Sequence, residues 1–232
     1  MKILRLPDRI SALIFDLDNT LYTNPAYTRH QTLILEERLA LHLGTDLPGA
    51  RAELAKLVAE RTRAGLGPTS MANLSAALGV DIATSVQWRE EGILPAEWLT
   101  PDPVLAGVLA RLASRFPLAL VTNNPRSVGL ASLAALSVGS LFSVVVGLDD
   151  TLRSKPDPAP FVFAAERLGG LPEGSVRHPY SGGQDGDCKD FSGLVSIGDR
   201  HDIDLAPALG LGMGAVLIEA VSDVYGLPDI LS

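Results

Sequence analysis

The stretch Ser11-Ala-Leu-Ile-Phe-Asp-Leu-Asp-Asn-Thr20 decides the fold of this 232-residue chain. Its short apolar run predicts a buried strand, and the carboxylates of Asp16 and Asp18 follow at the strand's carboxyl end. Residues two apart in an extended segment point to the same side. Two unpaired carboxylates beside a buried strand would be costly, and a metal cation would pair them. A solvated turn after the strand is the alternative.

The chain after Thr100-Pro101 alternates between strand and helix patterns. We predict strands over residues 117–121, 143–147, 194–197 and 215–218, and helices over 104–114, 127–136, 159–168 and 204–209. Such alternation implies right-handed crossovers and a Rossmann-like α/β fold, a doubly wound parallel sheet with helices on both faces. Ligands of these sheets bind beyond the carboxyl ends of the strands, so the polar residues there should converge in one crevice.

The segment between the first strand and Thr100 has a different pattern. Its apolar residues follow helical spacing, and turn signals such as Gly44 and Gly79 separate the helices. We therefore expect two domains: a Rossmann-like catalytic core of residues 1–22 and 100–232, and an inserted all-α cap of residues 23–99. Residues 172–193 are rich in Gly, Ser and Asp, which predicts a long surface loop.

Three further strand ends carry polar residues. Thr122 and Asn123 follow the second strand of the predicted core and could hold phosphate oxygens, although turn capping would also explain them. Lys155 could neutralise phosphate charge in the crevice, although a lone lysine is usually solvated. Asp199 directly follows an apolar strand, and Asp204 could cap the next helix. Each signal is ambiguous when it is taken alone.

Together and in this order, these residues resemble the haloacid-dehalogenase-like hydrolase superfamily. That pattern is D-x-D-x-T, then Ser or Thr, then Lys, then G-D with a further acid. The helical segment lies where the superfamily's subfamily I carries its C1-type helical cap. The sequence from Phe15 to Tyr22 also resembles the pyrimidine 5'-nucleotidase-like branch, as do the segments 65–74 and 225–231.

The resemblance implies a role for each matching residue. Asp16 would be the nucleophile that forms an aspartyl-phosphate, and Asp18 the general acid and base. The implied cofactor is Mg²⁺, held by Asp16, the Asp18 backbone carbonyl, Asp199 and Asp204, with Asp204 chiefly orienting its neighbours. The implied substrate-binding group, in which Lys155 is also catalytic, consists of Thr20, Thr122, Asn123 and Lys155.

The predicted reaction is hydrolysis of a small phosphorylated metabolite, for which a nucleoside monophosphate is one candidate. A 2-haloacid dehalogenase is disfavoured by Asp18, because halide leaves without needing a proton. A sugar-phosphate phosphomutase would keep the same residues and stays open. A non-catalytic binding scaffold would be expected to lose Asp16, Asp18 or Lys155, and a two-component receiver would lack the helical segment.

The amino-acid composition limits which binding partners and which cellular compartment we expect. The net charge of −8 argues against a nucleic-acid polymer, which needs clustered Lys and Arg. The single cysteine excludes an intrachain disulfide and suits the cytoplasm, and we expect no membrane association. The oligomeric state stays open. Eight residues are candidates for setting specificity from the cap side: Tyr22, Asn24, Arg61, Arg63, Met71, Asn73, Trp88 and Arg89.

Overall fold

The computed structural model describes residues 1–169 and 190–231. Within these residues, one sheet contains six strands in the order β1-β6-β5-β2-β3-β4. The strands are β1 (Lys2–Arg5), β2 (Ala12–Phe15), β3 (Leu118–Val121), β4 (Val144–Val146), β5 (Leu194–Gly198) and β6 (Gly214–Leu217). Strands β2 to β6 are parallel, so the predicted Rossmann-like α/β fold is confirmed.

Helices connect and cover these strands. The helices are α1 (Pro25–Leu43), α2 (Leu47–Arg63), α3 (Met71–Ala77), α4 (Ile82–Gly92), α5 (Pro103–Ala113), α6 (Arg126–Ala135), α7 (Leu148–Thr151), α8 (Ala159–Leu168), α9 (Ala206–Gly210), α10 (Val221–Val224) and α11 (Leu227–Ile230). Short 3₁₀ turns lie at Pro95–Glu97 and Gly139–Leu141. A π-helical turn, His201–Leu205, leads into α9, so this helical segment begins before the predicted residue 204.

The edge strand β1 was not predicted. It pairs antiparallel with β6, and three of its four residues are exposed. Because it lacks an apolar run, its sequence carries no strand signal. It forms one edge of the sheet and is the antiparallel strand beside five parallel ones.

The central strand β2 is buried on both faces. Leu13 and Phe15 contribute to one hydrophobic core, and Ala12 and Ile14 to the core on the opposite face. This division follows the period of two along a strand. The apolar run of β2 therefore fixes the strand in the middle of the sheet and places the next residue, Asp16, at its carboxyl edge.

The helical segment over residues 25–92 has its own small hydrophobic cluster. Leu39 and Ala40 of α1 pack there with Ala50, Leu54 and Val80. Helix α4 of this segment also packs against α6 and α7, beside the carboxyl edge of the sheet. A separate cluster accords with the expected cap, although the division into two domains stays a prediction.

Most of the loop predicted over 172–193 lies outside the described residues. Among the residues that the structure describes, no helix is both long and apolar enough to span a bilayer.

Candidate active site

The carboxyl ends of β2, β3 and β5 meet at one edge of the sheet. Phe15 of β2 aligns with Leu120 of β3 and with Ile197 of β5. The backbone N–H of Asp16 donates to the Ile197 carbonyl at 2.9 Å, which extends the pairing one residue beyond β2. The order of the strands reverses at β2, where α/β sheets bind their ligands. Polar side chains that follow these strands therefore share one crevice, as predicted.

Lys155 is the centre of this site, and its side chain is only 1% exposed. Its ammonium donates to Asp16 Oδ1 at 2.5 Å, to Asp204 Oδ1 at 2.7 Å and to the Val121 carbonyl at 2.9 Å. Burial by itself lowers the pKa of Lys155, but the charges of Asp16 and Asp204 outweigh burial and raise it. Lys155 is therefore a buried cation clamped between two buried carboxylates.

The backbone of Lys155 is fixed by Asn123. The Asn123 side-chain oxygen accepts from the Lys155 N–H at 2.8 Å, and its amide nitrogen donates to the Lys155 carbonyl at 3.3 Å. The neighbouring Ser154 hydroxyl donates to the Ser70 hydroxyl, which belongs to the residue that caps α3. The Asn123 side chain thus holds the segment that carries the lysine, and the predicted part of Asn123 in substrate binding stays a prediction.

A compact acidic cluster lies beside the lysine. One carboxylate oxygen from each of Asp16, Asp199 and Asp204 lies within 4.8 Å of the others. Gly198 permits this approach, because a Cβ at that position would lie 2.6 Å from Asp204 Cβ. Both Asp204 oxygens have protein donors, Lys155 Nζ on Oδ1 and the Arg200 N–H on Oδ2. Both oxygens of Asp204 are thus engaged, while its predicted role of orienting neighbouring ligands stays a prediction.

Burial disfavours the ionised form of the Asp16 and Asp199 carboxylates in this cluster and raises their pKa. The pKa of Asp16 is raised to about 7, first because the carboxyl is buried and then because Asp204 is near, while Lys155 offsets part of the rise. Burial, followed by the charge of Asp204, also raises the pKa of Asp199. Additional positive charge would favour the ionised carboxylates.

A magnesium ion fits this donor set. Asp199 Oδ1 is buried without a hydrogen-bond partner among residues 1–169 and 190–231, and the Arg200 Nε lies 3.7 Å away, beyond hydrogen-bond range. An orphaned carboxylate oxygen among other carboxylates is a hard ligand of the kind that magnesium prefers. Asp16 and Asp199 offer carboxylate oxygens for such an ion, and Asp18 would contribute its backbone carbonyl.

The Asp18 carboxylate is held apart from the acidic cluster by three donors. Tyr22 donates its hydroxyl to Oδ1, which also accepts from Gln31 Nε2 at 2.9 Å, and Asn124 Nδ2 donates to Oδ2 at 3.0 Å. The Gln31 oxygen in turn accepts from Asn124 at 3.2 Å. Sequence reasoning missed Gln31 and Asn124 as partners of Asp18.

The two threonines of the predicted substrate-binding group are buried. Thr20 Oγ1 lies 3.4 Å from Asp16 Oδ2, a long contact that leaves this oxygen weakly bonded. Thr122 Oγ1 accepts from the Asn124 N–H at 3.1 Å, which is the turn contact that its sequence position also allowed. Thr122 thus retains its own hydroxyl proton for another acceptor.

A family comparison decides the class of protein. The model of the haloacid dehalogenase-like hydrolases matches residues 10–176, which include Asp16, Asp18, Thr122 and Lys155. This chain belongs to that family. The resemblance drawn from the motifs is therefore confirmed, whereas the pyrimidine 5'-nucleotidase-like branch stays a prediction.

Known relatives of this family member include phosphatases. The phosphoglycolate phosphatase of Escherichia coli O157:H7 is 28% identical, and the alignment covers 94% of each chain. Among solved structures, a phosphatase of the family from Thermococcus onnurineus has a TM-score of 0.58 at 20% identity and covers 96% of this chain and 98% of its own. A 2-haloacid dehalogenase from Pseudomonas syringae has a TM-score of 0.54 at 21% identity, with the same coverage. At such identities the two structures establish the fold alone, while the curated relative supports a phosphoric monoester hydrolase.

The candidate specificity residues of this hydrolase have different environments. Asn24 caps α1 and donates to the Trp98 carbonyl at 3.0 Å, so its role is structural. Arg61 donates to the Gly67 carbonyl, Arg63 is exposed, and Asn73 donates to Thr69. Met71 and Trp88 pack against the small cluster of the helical segment. Tyr22 and Arg89 differ from these, because Tyr22 contacts Asp18 and Arg89 is a buried cation.

Replacing Lys155 with methionine should strongly destabilise the protein. The substitution leaves the Asp16 and Asp204 carboxylates buried without their shared cation, and losing one partner of a buried pair costs about 3–5 kcal/mol. Urea unfolding in metal-free buffer measures this loss. The exposed Lys56, which lies 3.8 Å from Glu53, provides the matched variant Lys56→Met, whose unfolding free energy should change little. Equal stability of the two variants would contradict the clamp.

Proposed function

We propose that this protein hydrolyses a small phosphomonoester through an aspartyl-phosphate on Asp16, with the assistance of Mg²⁺. The observation that carries the proposal is the pairing of Lys155 with Asp16 beside the orphaned Asp199 oxygen. One lysine and one divalent cation can together neutralise the charge that a phosphoryl group brings to a buried carboxylate.

Asp16 has the environment that a nucleophile needs. Its Oδ1 is fixed by Lys155, whereas Oδ2 accepts, from the part of the chain that the structure describes, only the long contact of Thr20. Attack by a carboxylate oxygen on phosphorus expels the substrate's alcohol and gives an acyl phosphate on Asp16. Water then attacks phosphorus, which releases inorganic phosphate and restores the carboxylate. The full cycle consumes one water molecule and needs no oxidant or reductant.

Asp18 is proposed as the general acid and general base. It would donate a proton to the oxygen of the leaving alcohol and later remove one from the attacking water. Tyr22, Gln31 and Asn124 hold its carboxylate through donors on both oxygens. These contacts fix its orientation, and Oδ2, which accepts only from Asn124 among the described residues, keeps a lone pair that can carry the proton.

The remaining residues are proposed to receive the phosphoryl group and the metal. Lys155 and the Thr122 hydroxyl would contact phosphoryl oxygens, while Asn123 keeps Lys155 in place. When bound, magnesium would supply positive charge that offsets the repulsion between the phosphoryl oxygens and the carboxylates of Asp16 and Asp199.

The substrate class follows from the same chemistry and from the relatives. A phosphoglycolate phosphatase with 28% identity over 94% of this chain supports a small phosphorylated metabolite rather than a polymer. Nucleoside monophosphates remain a second candidate on the strength of the segment from Phe15 to Tyr22. Phosphomutase activity has no observation that favours it over hydrolysis. The cytoplasm is the proposed compartment.

Removing the metal should abolish turnover. EDTA should abolish hydrolysis of nitrophenyl phosphate, and added magnesium should restore it. Without the metal, the buried carboxylates would repel the phosphate group of the substrate. Full activity of the chelated protein would rule out the proposed metal dependence.

A substitution localises that metal dependence. Asp199→Asn should raise the magnesium concentration for half-maximal activity by at least about tenfold. The matched control is Asp202→Asn, because Asp202 lies only three residues further along, in the π-helical turn, but its side chain is 51% exposed and contacts His201. An equal magnesium requirement in both variants would exclude Asp199 as a ligand.

A further inference from the structure

Arg89 is a buried cation without an anionic partner. The residue lies in α4 and is 4% exposed. Its Nη1 donates to the Ser85 carbonyl at 2.9 Å and to the Ser85 hydroxyl, both of which are neutral acceptors. Within residues 1–169 and 190–231, no carboxylate forms an ion pair with it, and nothing accepts from Nε or Nη2. Arginine is rarely buried unless it is paired, so a partner from outside the chain would explain its position.

The position of α4 brings Arg89 to the active site. The adjacent residue, Glu90, accepts from the Ser127 hydroxyl at 2.7 Å, in the first turn of α6. Helix α6 begins immediately after the Asn124 segment, and Asn124 contacts Asp18. Helix α4 also packs along α1, which carries Gln31, the other amide on Asp18. Arg89 therefore lies on a helix that packs beside α1 and α6, which carry or directly follow the Asp18 partners Gln31 and Asn124.

Electrostatics agree with this placement. Burial lowers the pKa of Arg89 to about 10, and Asp18 is the charged group that opposes this fall. The side chain remains a cation at neutral pH. Within the described residues, no hydrogen bond or ion pair joins Asp18 to the guanidinium, whose acceptors are both on Ser85.

We propose that Arg89 binds a second anionic group of the substrate, at the end that does not react. This inference rests on the proposed phosphomonoester hydrolysis and adds a specificity-determining residue to it. The fork of Nε and Nη2 matches the two oxygens of a carboxylate, and a second phosphate offers the same oxyanion chemistry. The substrate is then a phosphorylated small acid or a bisphosphate. A nucleoside monophosphate offers no second anionic group at neutral pH, so Arg89 disfavours that candidate.

The test compares substrates that differ only in the second charge. Phosphoglycolate and hydroxyethyl phosphate are of similar size, but only the first carries a carboxylate, and ethylene glycol bisphosphate tests a second phosphate. Wild-type protein should prefer an anionic partner by about 10- to 100-fold in kcat/KM, the size expected for a hydrogen bond between charged groups. Arg89→Met should reduce that preference to within about threefold, and Arg89→Lys should keep part of it.

A matched control separates this effect from a general loss of arginine. Arg29 lies on α1 with an exposed side chain, and Arg29→Met should keep the wild-type preference. If Arg89→Met fails to fold, as judged by circular dichroism, the wild-type preference and the Arg89→Lys variant decide the question.

The possible failures are distinguishable. Wild-type protein that hydrolyses no phosphomonoester would overturn the proposed function itself. Wild-type protein that hydrolyses all three substrates equally would overturn only the role of Arg89. An unchanged preference in folded Arg89→Met would do the same, as would an unchanged preference in Arg89→Lys where the methionine variant does not fold. If phosphoglycolate is preferred, the site selects a phosphorylated small acid; if ethylene glycol bisphosphate is preferred, it selects a bisphosphate.

Discussion

Asp16→Asn is expected to lower kcat for nitrophenyl phosphate by a factor on the order of 10⁴ or more. An amide oxygen does not form the acyl phosphate, so the covalent route is lost rather than slowed. The fold should survive, because asparagine keeps the shape of the side chain and an oxygen that can accept from Lys155. Steady-state kinetics with saturating magnesium measure the loss, and circular dichroism checks the fold.

An exposed aspartate provides the control for this substitution. Asp8 lies on the surface before β2, and Asp8→Asn should retain wild-type kinetics. If Asp16→Asn turned over nitrophenyl phosphate within tenfold of wild type, Asp16 would not be the nucleophile. The acidic cluster would then need a different interpretation, with water activated directly.

Asp18→Asn is expected to slow turnover in proportion to the leaving group's need for a proton. General acid–base catalysis contributes about 10²–10⁴-fold, and this factor should be lost for an alkyl phosphate. Nitrophenolate departs without protonation, so nitrophenyl phosphate should lose much less in the covalent step. Rapid-quench measurement of the first turnover isolates that step for both substrates.

This test depends on the loss of rate for the alkyl phosphate relative to the loss of rate for nitrophenyl phosphate. Asparagine keeps one oxygen that can accept from Tyr22 and Gln31, whereas its amide nitrogen would face the Asn124 donor, which would have to turn away. Equal losses for the alkyl and the nitrophenyl ester would point to a structural role for Asp18. A selective loss for the alkyl ester would assign it the proton.

Strand periodicity was sufficient to place most of the site. The apolar run before Asp16 predicted a buried strand, and the second apolar run placed Thr122 beside it, because adjacent parallel strands end at one edge. The same reasoning applied to Asp199 after β5. Charge chemistry then predicted that carboxylates at this edge need a cation, and Lys155 lies among them.

Contacts between distant segments could not be predicted in this way. Gln31 lies in the middle of a helix, where its sequence looks like any polar position, and only tertiary packing brings it to Asp18. The hold of the Asn123 side chain on Lys155 was missed, because the sequence does not show that the Lys155 backbone passes beside it. Asp204 was expected at a helix start, but the π-helical turn that holds it has no sequence signature.

All three N–H donors of the Lys155 ammonium are occupied, and this affects the release of inorganic phosphate that we propose. The three N–H groups already have acceptors on Asp16, Asp204 and Val121, so a phosphate oxygen that bound Lys155 as proposed would have to displace one of them. The displaced acceptor would compete for the lysine again once hydrolysis was complete. On this proposal the resting contacts compete with inorganic phosphate for the ammonium, and we expect weak product inhibition.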